Sequence, residues 1–299
     1  MIRDGWIPDA TSISDFRRCP ELFRLRHVKG LKRKVRDEAA DAGTGWHAAM
    51  KVWFDDGGYE AALAELRKHW PDNLIEGEEE KRPLSLFERL LEAYCKKYPR
   101  ADDPFQVVRN EQYVEGVIDN VALPFRYCGI VDRKIRMDKD EYVKDSKTTS
   151  LWLNQDYWAS YDLNQQQEGY MALELVNDRP CSGFYIDAVH VDTRYGKVKD
   201  SDFQRYGPVT VPNWKLDRWA KDTESALRQI EWFWDTHGPD APWEHREQGC
   251  RAYFRWCSFW NSPLHAEFPG LCRQPAELQE ILTGEYTVEF WEPKERANA

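Results

Sequence analysis

Hydrophobic residues recur with two different periods along the chain, and the change of period separates helical from strand-forming regions. Apolar residues spaced three to four apart predict helices over 43–54, 59–70, 84–98, 163–176 and 213–236. Short runs rich in β-branched and aromatic residues predict strands over 105–118, 123–137, 141–148 and 183–191. We therefore expect an α/β (α+β) fold with a mixed central β-sheet flanked by helices. Its central order is helix, three strands, helix, strand.

Composition narrows the class of protein. A chain of 299 residues has room for one large domain or two ordinary ones. Its N-terminus carries no apolar stretch typical of a signal peptide, and no run approaches the length of a bilayer span, so we expect a cytoplasmic protein with no membrane partner. The seven cysteines then lie in a reducing compartment, where metal binding or catalysis is a more common role than a disulfide.

Charge is distributed unevenly. The net charge is −10, yet residues 17–36 hold nine Lys or Arg against one acid, Glu21, a local +8 that leaves the other residues at −18. A local positive field attracts phosphate groups, although such a stretch is also typical of a solvated helix face. The candidate nucleic-acid contacts in this basic segment are Arg17, Arg18, Arg24, Arg26, Lys32, Arg33 and Lys34.

Two carboxylates and a lysine lie on successive predicted strands in "GIVDRKIRMDKDEYVKDSKTTS" (129–150). Side chains two apart in a strand share a face, so Asp145 and Lys147 point the same way, and a neighbouring strand can bring Asp132 beside them. Two carboxylates suit a hard divalent cation such as Mg²⁺ or Mn²⁺. Lys147 would orient a water or stabilise charge on phosphorus. The alternative is surface charge on an ordinary hairpin.

Three flanking residues can complete such a site. "GTGWHAAM" predicts His47 early in a helix, just after a glycine-containing turn, where it is either a packed core residue or a third metal ligand. Gln166 and Tyr170 are four residues apart, on one face of the next helix. Both side chains can hydrogen-bond phosphate or water, although this spacing is often incidental.

Five segments, taken in order, are those in which the chain resembles the RecB-like branch of the PD-(D/E)xK nuclease superfamily, over about 12–272. They are "SISDFRRCPELFRLRH", "GTGWHAAM", "GIVDRKI", "VKDSKT" and "QQEGY". That branch includes CRISPR-associated RecB-type and phage-encoded exonucleases. The resemblance implies a restriction-endonuclease-like αβββαβ core with helical N- and C-terminal additions. The functional residues it implies are the metal ligands His47, Asp132, Asp145 and the Ser146 carbonyl, the catalytic Lys147, and the supporting Gln166 and Tyr170. Glu111 is a weaker candidate for the same site.

Four cysteines lie towards the two ends of the chain: Cys19, Cys250, Cys257 and Cys272. One N-terminal and three C-terminal cysteines resemble the iron–sulfur members of the same family, which implies a [4Fe–4S] cluster. The gap between Cys257 and Cys272 is longer than the family's, as if "NSPLHAEFPG" were inserted, which puts Cys272 in question. Structural Zn²⁺ and unmetallated buried thiols remain alternatives.

The resemblance predicts a metal-dependent DNA exonuclease that hydrolyses phosphodiester bonds at DNA ends in recombination, repair or phage DNA metabolism. DNA is the expected substrate, with a single-strand annealing protein or a recombination or CRISPR adaptation protein as a possible partner. The alternatives are a nuclease of a CRISPR adaptation complex and a non-catalytic iron–sulfur DNA-binding accessory protein.

Within one compact nuclease domain, the sequence predicts four regions. They are a basic and helical N-terminal region at 1–100, the nuclease core at 101–192, a helical region with the cysteine cluster at 193–285, and a disordered tail at 286–299.

Overall fold

The computed structural model describes residues 5–34, 37–70, 81–252, 255–261, 269–273, 283–290 and 294. Its α-helices are α1 Ala10–Arg18, α2 Pro20–Phe23, α3 Glu38–Phe54, α4 Gly58–Lys68, α5 Leu84–Lys97, α6 Gln155–Ala159, α7 Gln165–Val176 and α8 Asn213–His237. Its strands are β1 Leu31–Arg33, β2 Gln106–Ile118, β3 Phe125–Met137, β4 Asp140–Thr149, β5 Gly183–His190, β6 Phe203–Val209, β7 Arg251–Ala252, β8 Arg255–Trp256 and β9 Tyr286–Val288.

The central sheet is mixed and has five strands in the order β2-β3-β4-β5-β6. β3 pairs antiparallel with β4, β4 parallel with β5, and β5 antiparallel with β6. A parallel pair needs a long crossover, and α6 and α7 lie in the chain between β4 and β5. The predicted mixed sheet, and the order helix, three strands, helix, strand, are therefore confirmed. β6 extends the sheet beyond the predicted strands.

The prediction of a glycine-containing turn before His47 is wrong. α3 begins at Glu38, where the Asp37 side chain caps the helix by accepting hydrogen bonds from the backbone N–H of Ala39 and Ala40. Gly43 and Gly45 therefore lie inside the helix. A Cβ atom on Gly45 would come within 3.4 Å of Leu66 on α4, so this glycine permits close packing of two helices.

The described chain divides into two compact units. The second unit comprises residues 37–114 and 130–212. Its core is formed by apolar side chains of α3, α4 and α5, together with Val189 of β5 and Phe203 of β6. Trp46 is fully buried there, against Phe87 and Tyr94. This packing fixes the helix that carries His47 next to the sheet.

The first unit comprises residues 1–36, 115–129 and 213–299. Phe23 packs against Phe16 and Trp243, and Phe233 of α8 contacts both Phe16 and Trp243. β1 pairs antiparallel with β9, so the first part of the predicted disordered tail, residues 286–288, is a strand. Tyr286 is buried against Phe259, which explains why this segment is ordered. Residues 291–293 and 295–299 lie outside the described residues.

None of the helices in the described ranges is long and apolar enough to cross a membrane.

Candidate active site

Two adjacent strands bring the predicted carboxylates together. The β3–β4 register aligns Arg133 with Lys144, so Asp132 and Asp145, one step further on each strand, are cross-strand neighbours. Both side chains are buried. The backbone N–H of Ser146 donates a hydrogen bond to Asp132 Oδ2 at 2.8 Å. His47 of α3 completes this part of the site, because its Nδ1 lies 3.1 Å from Asp132 Oδ2.

Glu111 enters the same site from β2. Its Oε1 lies 3.7 Å from His47 Nδ1, and donor atoms of His47, Glu111 and Asp132 all lie within 4.8 Å of one another. Glu111 has a φ of +44°, a left-handed conformation that non-glycine residues rarely adopt and that is often found at functional sites. Sequence reasoning gave this residue little weight, since an acid in an alternating strand carries no sign that its backbone is unusual.

Lys147 lies on the same side of β4 as Asp145. Its Nζ is 2.6 Å from Asp145 Oδ2 and 3.3 Å from Gln166 Oε1. Gln166 in turn donates to the Tyr170 hydroxyl at 2.8 Å. The structure therefore joins Gln166 and Tyr170 to Lys147 through one chain of hydrogen bonds.

Gln167 is a residue that sequence reasoning missed. Its side chain is fully buried, and its Nε2 donates to Asp145 Oδ2 at 3.0 Å. The four-residue spacing of Gln166 and Tyr170 indicated a helix face for these two residues and said nothing about Gln167. The run "NQQQEGY" offered three glutamines and no signal that distinguishes them.

The charged groups of the site shift one another's pKa values. Burial alone would lower the pKa of His47, but the charge of Asp132 and its hydrogen bond raise that pKa to about 10. Burial opposes ionisation of Asp132 as well, yet His47 holds the pKa of this carboxyl well below its usual range. Burial raises the pKa of Asp145 to about 6, against the opposing effect of the Lys147 ammonium. For Lys147, burial lowers the pKa, but Asp145 and Asp132 together raise it above its ordinary value.

The donor set fits a hard divalent cation. In the described part of the chain, Asp145 Oδ1 and Glu111 Oε1 are buried atoms without a hydrogen-bond donor. Buried carboxylate oxygens without partners are costly, and coordination to a cation would satisfy them. Carboxylate oxygens suit Mg²⁺ or Mn²⁺, and an added imidazole suits a site that accepts Mn²⁺. The arrangement can therefore bind a cation beside a lysine ammonium.

The basic segment differs from its expected form. Arg24 is 1% exposed and forms a bidentate ion pair with Glu21, so its expected role as a DNA contact is wrong, and the guanidinium instead stabilises the first unit. Arg26 pairs with Asp15 at 3.1 Å, and Lys32 pairs with Glu289 at 2.9 Å.

Further residues of the segment contact the backbone of the same unit. Arg18 Nε donates to the Gly249 carbonyl at 2.5 Å, and Lys34 Nζ donates to that of Gly284 at 2.6 Å. The local +8 of the sequence is thus partly neutralised by the nearby acids Glu21 and Asp15 and by the distant Glu289. Arg17, Arg18, Arg26, Lys32, Arg33 and Lys34 remain candidate DNA contacts.

The four cysteines lie together in the first unit. Cys19, Cys257 and Cys272 contact one apolar cluster that includes Phe259 and Tyr286. Burial, followed by the neighbouring Cys257 and Cys19, raises the pKa of Cys250 to about 11. The pKa of Cys272 is also raised, first by burial and then by Cys257, Cys250 and Cys19. Cys272, which the spacing put in question, is therefore beside the other three.

The sequence matches one family model over residues 10–262, that of the PD-(D/E)XK nuclease superfamily. No protein of curated function matches. Among solved structures, the chain is similar to one titled "Crystal structure of SSO0001", with 12% sequence identity and a TM-score of 0.30 over 75% of this chain and 89% of that chain.

Proposed function

This chain belongs to the PD-(D/E)XK nuclease superfamily, and from that premise we propose that it is a Mg²⁺- or Mn²⁺-dependent DNA exonuclease. The observation that carries the proposal is the grouping of His47, Glu111 and Asp132, with the Asp145–Lys147 pair on the neighbouring strand. His47, Asp132, Asp145 and the Ser146 carbonyl would hold the cation, with Glu111 as an additional ligand. When bound, the cation polarises the phosphodiester and lowers the pKa of the attacking water.

Lys147 supplies positive charge in this scheme. The raised pKa of its ammonium group keeps it protonated near neutral pH, so it acts as an electrostatic stabiliser of charge that develops on the phosphorus oxygens. Asp145 and Gln166 hold the ammonium group in position. Gln167 donates to Asp145, which leaves Asp145 Oδ1 available to the cation.

The alternatives differ in what they require of this site. A non-catalytic DNA-binding accessory protein needs no complete catalytic set, whereas His47, Asp132, Asp145 and Lys147 are all present in this chain. A nuclease of a CRISPR adaptation complex would use the same chemistry on another DNA substrate. Neighbouring genes distinguish that alternative, since a single-strand annealing gene indicates phage recombination and CRISPR integrase genes indicate adaptation.

The test is a cleavage assay with end-labelled single- and double-stranded DNA in Mg²⁺ or Mn²⁺, together with a covalently closed circle of the same sequence. An exonuclease degrades the linear molecules progressively from an end and leaves the circle intact. Asp145→Ala should abolish activity, because it removes a ligand from a site with few carboxylates. Cleavage of the circle would refute the exonuclease, and retained activity in Asp145→Ala would refute the site.

We also propose that the four cysteines hold a [4Fe–4S] cluster. Burial, and then the neighbouring thiols, raise the pKa values of Cys250 and Cys272, so these thiols need a cation to become thiolates, which supports a metal group there. A tetrahedral Zn²⁺ held by the same four thiolates is the alternative.

Metal analysis tests the cluster. Protein purified without oxygen should be brown and contain about four irons per chain. Cys19→Ser should lower the iron content and destabilise the first unit, because one missing ligand removes metal-linked folding energy. Colourless protein with one Zn²⁺ per chain would support the zinc alternative and refute the cluster.

A further inference from the structure

An exposed tryptophan follows the strand that carries Lys147. Trp152 is 66% exposed, and its ring stacks on His190 with centroids 4.6 Å apart and planes at 20°. His190 is buried, and its Nδ1 lies 3.0 Å from Asp202 Oδ1, which fixes the imidazole. One face of the indole is therefore held on a fixed ring, while most of its surface remains open to solvent.

Trp152 and His190 lie at or just beyond the ends of β4 and β5, and β4 is the strand that carries Lys147. The parallel register aligns Lys147 with Ala188 and Thr149 with His190, so β4 and β5 end at the same edge of the sheet. In open α/β sheets, ligands bind outside the carboxyl ends of the strands. Trp152 follows Lys147 by five residues, which limits the separation of their Cα atoms to about 18 Å.

The segment after β5 adds cations at this edge. Tyr195 is 65% exposed, with Arg194 Cζ 5.4 Å and Lys197 Nζ 5.7 Å from the centre of its ring. Asp192 Oδ1 fixes the turn by accepting hydrogen bonds from the backbone N–H of Arg194 and Tyr195. Neither Arg194 nor Lys197 forms an ion pair with a carboxylate among the residues described. Exposed aromatic rings with adjacent free cations are complementary to unpaired bases joined by phosphates.

We propose that Trp152 is a stacking platform for an unpaired base of the DNA strand bound in the active site, with Arg194 and Lys197 facing its phosphates. This inference rests on the proposed nuclease function and specifies its substrate as DNA with single-stranded nucleotides next to the cleaved bond. A base inside a duplex is already stacked on both sides and cannot use the platform.

Binding of fluorescein-labelled DNA tests the platform. Anisotropy would be measured in EDTA, which prevents cleavage, with single-stranded and duplex forms of one sequence. Loss of one stacking contact is worth about 1–3 kcal/mol, so Trp152→Ala should raise the Kd for single-stranded DNA roughly 5- to 150-fold. The Kd for duplex should change far less. Trp152→Phe, which keeps a ring, should restore most of the affinity.

Trp214→Ala is the matched control, since Trp214 is also an exposed tryptophan, 64% accessible, on α8. It should bind like the parent. A direct readout in the parent protein uses oligonucleotides with 2-aminopurine at successive positions, because stacking quenches this fluorescent base. Quenching should occur near the cleaved bond in the parent and be lost in Trp152→Ala.

The outcomes separate the two proposals. If the parent cleaves DNA but Trp152→Ala binds single strands as tightly as Trp214→Ala does, the platform is refuted and the nuclease stands. An equal loss of affinity for single strands and duplex would also refute the platform, because it would indicate a general effect on binding. If the parent neither binds nor cleaves DNA, both proposals fail.

Discussion

Lys147 gives the most direct test of the chemistry at the scale of a single residue. If its ammonium group stabilises the transition state, Lys147→Ala should lower kcat by roughly 10²–10³, the scale for loss of one electrostatic stabiliser. Mn²⁺ affinity should stay the same or rise, because removal of a nearby positive charge favours a cation. Cleavage rates and calorimetric Mn²⁺ titrations measure both quantities. Cleavage at the parent rate would mean that Lys147 is only a charged strand residue.

The raised pKa of His47 predicts how metal binding depends on pH. Without a cation, its pKa of about 10 means that the imidazole is protonated at neutral pH, and the metal must displace this proton. Raising the pH from 7 to 8.5 should therefore strengthen Mn²⁺ binding, by up to about tenfold per pH unit for one displaced proton. Calorimetry in buffers of different ionisation enthalpy would also detect the released proton.

His47→Gln provides the control for this pH dependence. Its amide cannot be protonated in this range, so the variant should bind Mn²⁺ more weakly and with a flatter pH profile. An unchanged slope in the variant would show that another group releases the proton.

At the scale of secondary-structure elements, a buried charge network ties α7 to the sheet. Glu174 of α7 lies 2.9 Å from Lys134 Nζ on β3, with both side chains 1% exposed, and it also pairs with Arg109 on β2. α7 carries Gln166, Gln167 and Tyr170, so this network helps to fix their positions relative to Asp145. The sequence shows these charges inside apolar runs without revealing that they are partners.

Glu174→Ala should destabilise the protein by about 3–5 kcal/mol, because it leaves the buried Lys134 ammonium with only the more distant Glu141 carboxylate, at 3.8 Å. Urea unfolding followed by circular dichroism measures the change. Glu92→Ala is the control, since Glu92 pairs with Lys96 on the surface of α5 and should contribute less than about 1 kcal/mol. If the two variants lose the same free energy of unfolding, the buried Glu174 network contributes no more to stability than a surface ion pair does.

At the scale of the whole molecule, DNA binding must occur despite a net charge of −10. Local groups of cations therefore have to neutralise phosphates, which makes binding sensitive to salt. If a single strand loses counterions at three phosphates, its affinity should fall roughly 20-fold between 50 and 200 mM salt. Anisotropy titrations at several salt concentrations give the slope. Affinity that is independent of salt would exclude phosphate contacts as the main source of binding.

The sequence alone determined the order and type of the central elements. The periods of its hydrophobic residues predicted α3 to α5, β2 to β5, α7 and α8, with most boundaries within a few residues of those observed. These segments are long and strongly periodic, so local pattern and tertiary packing favour the same structure. The shorter elements α1, α2, α6, β1 and β6 to β9 were not predicted, because short segments depend on contacts with residues far away in the chain.

Only the tertiary structure decided which of the candidate residues meet. Strand alternation placed Asp145 and Lys147 on one face, and the family resemblance implied that His47 and Asp132 join them. Glu111 and Gln167 entered the site through a left-handed backbone and through the packing of α7, which no local pattern encodes. The buried Arg24 shows the converse. A cation counted as surface charge along the sequence becomes internal, because its guanidinium pairs with the nearby Glu21 and also donates to the Pro239 carbonyl, which only folding brings close.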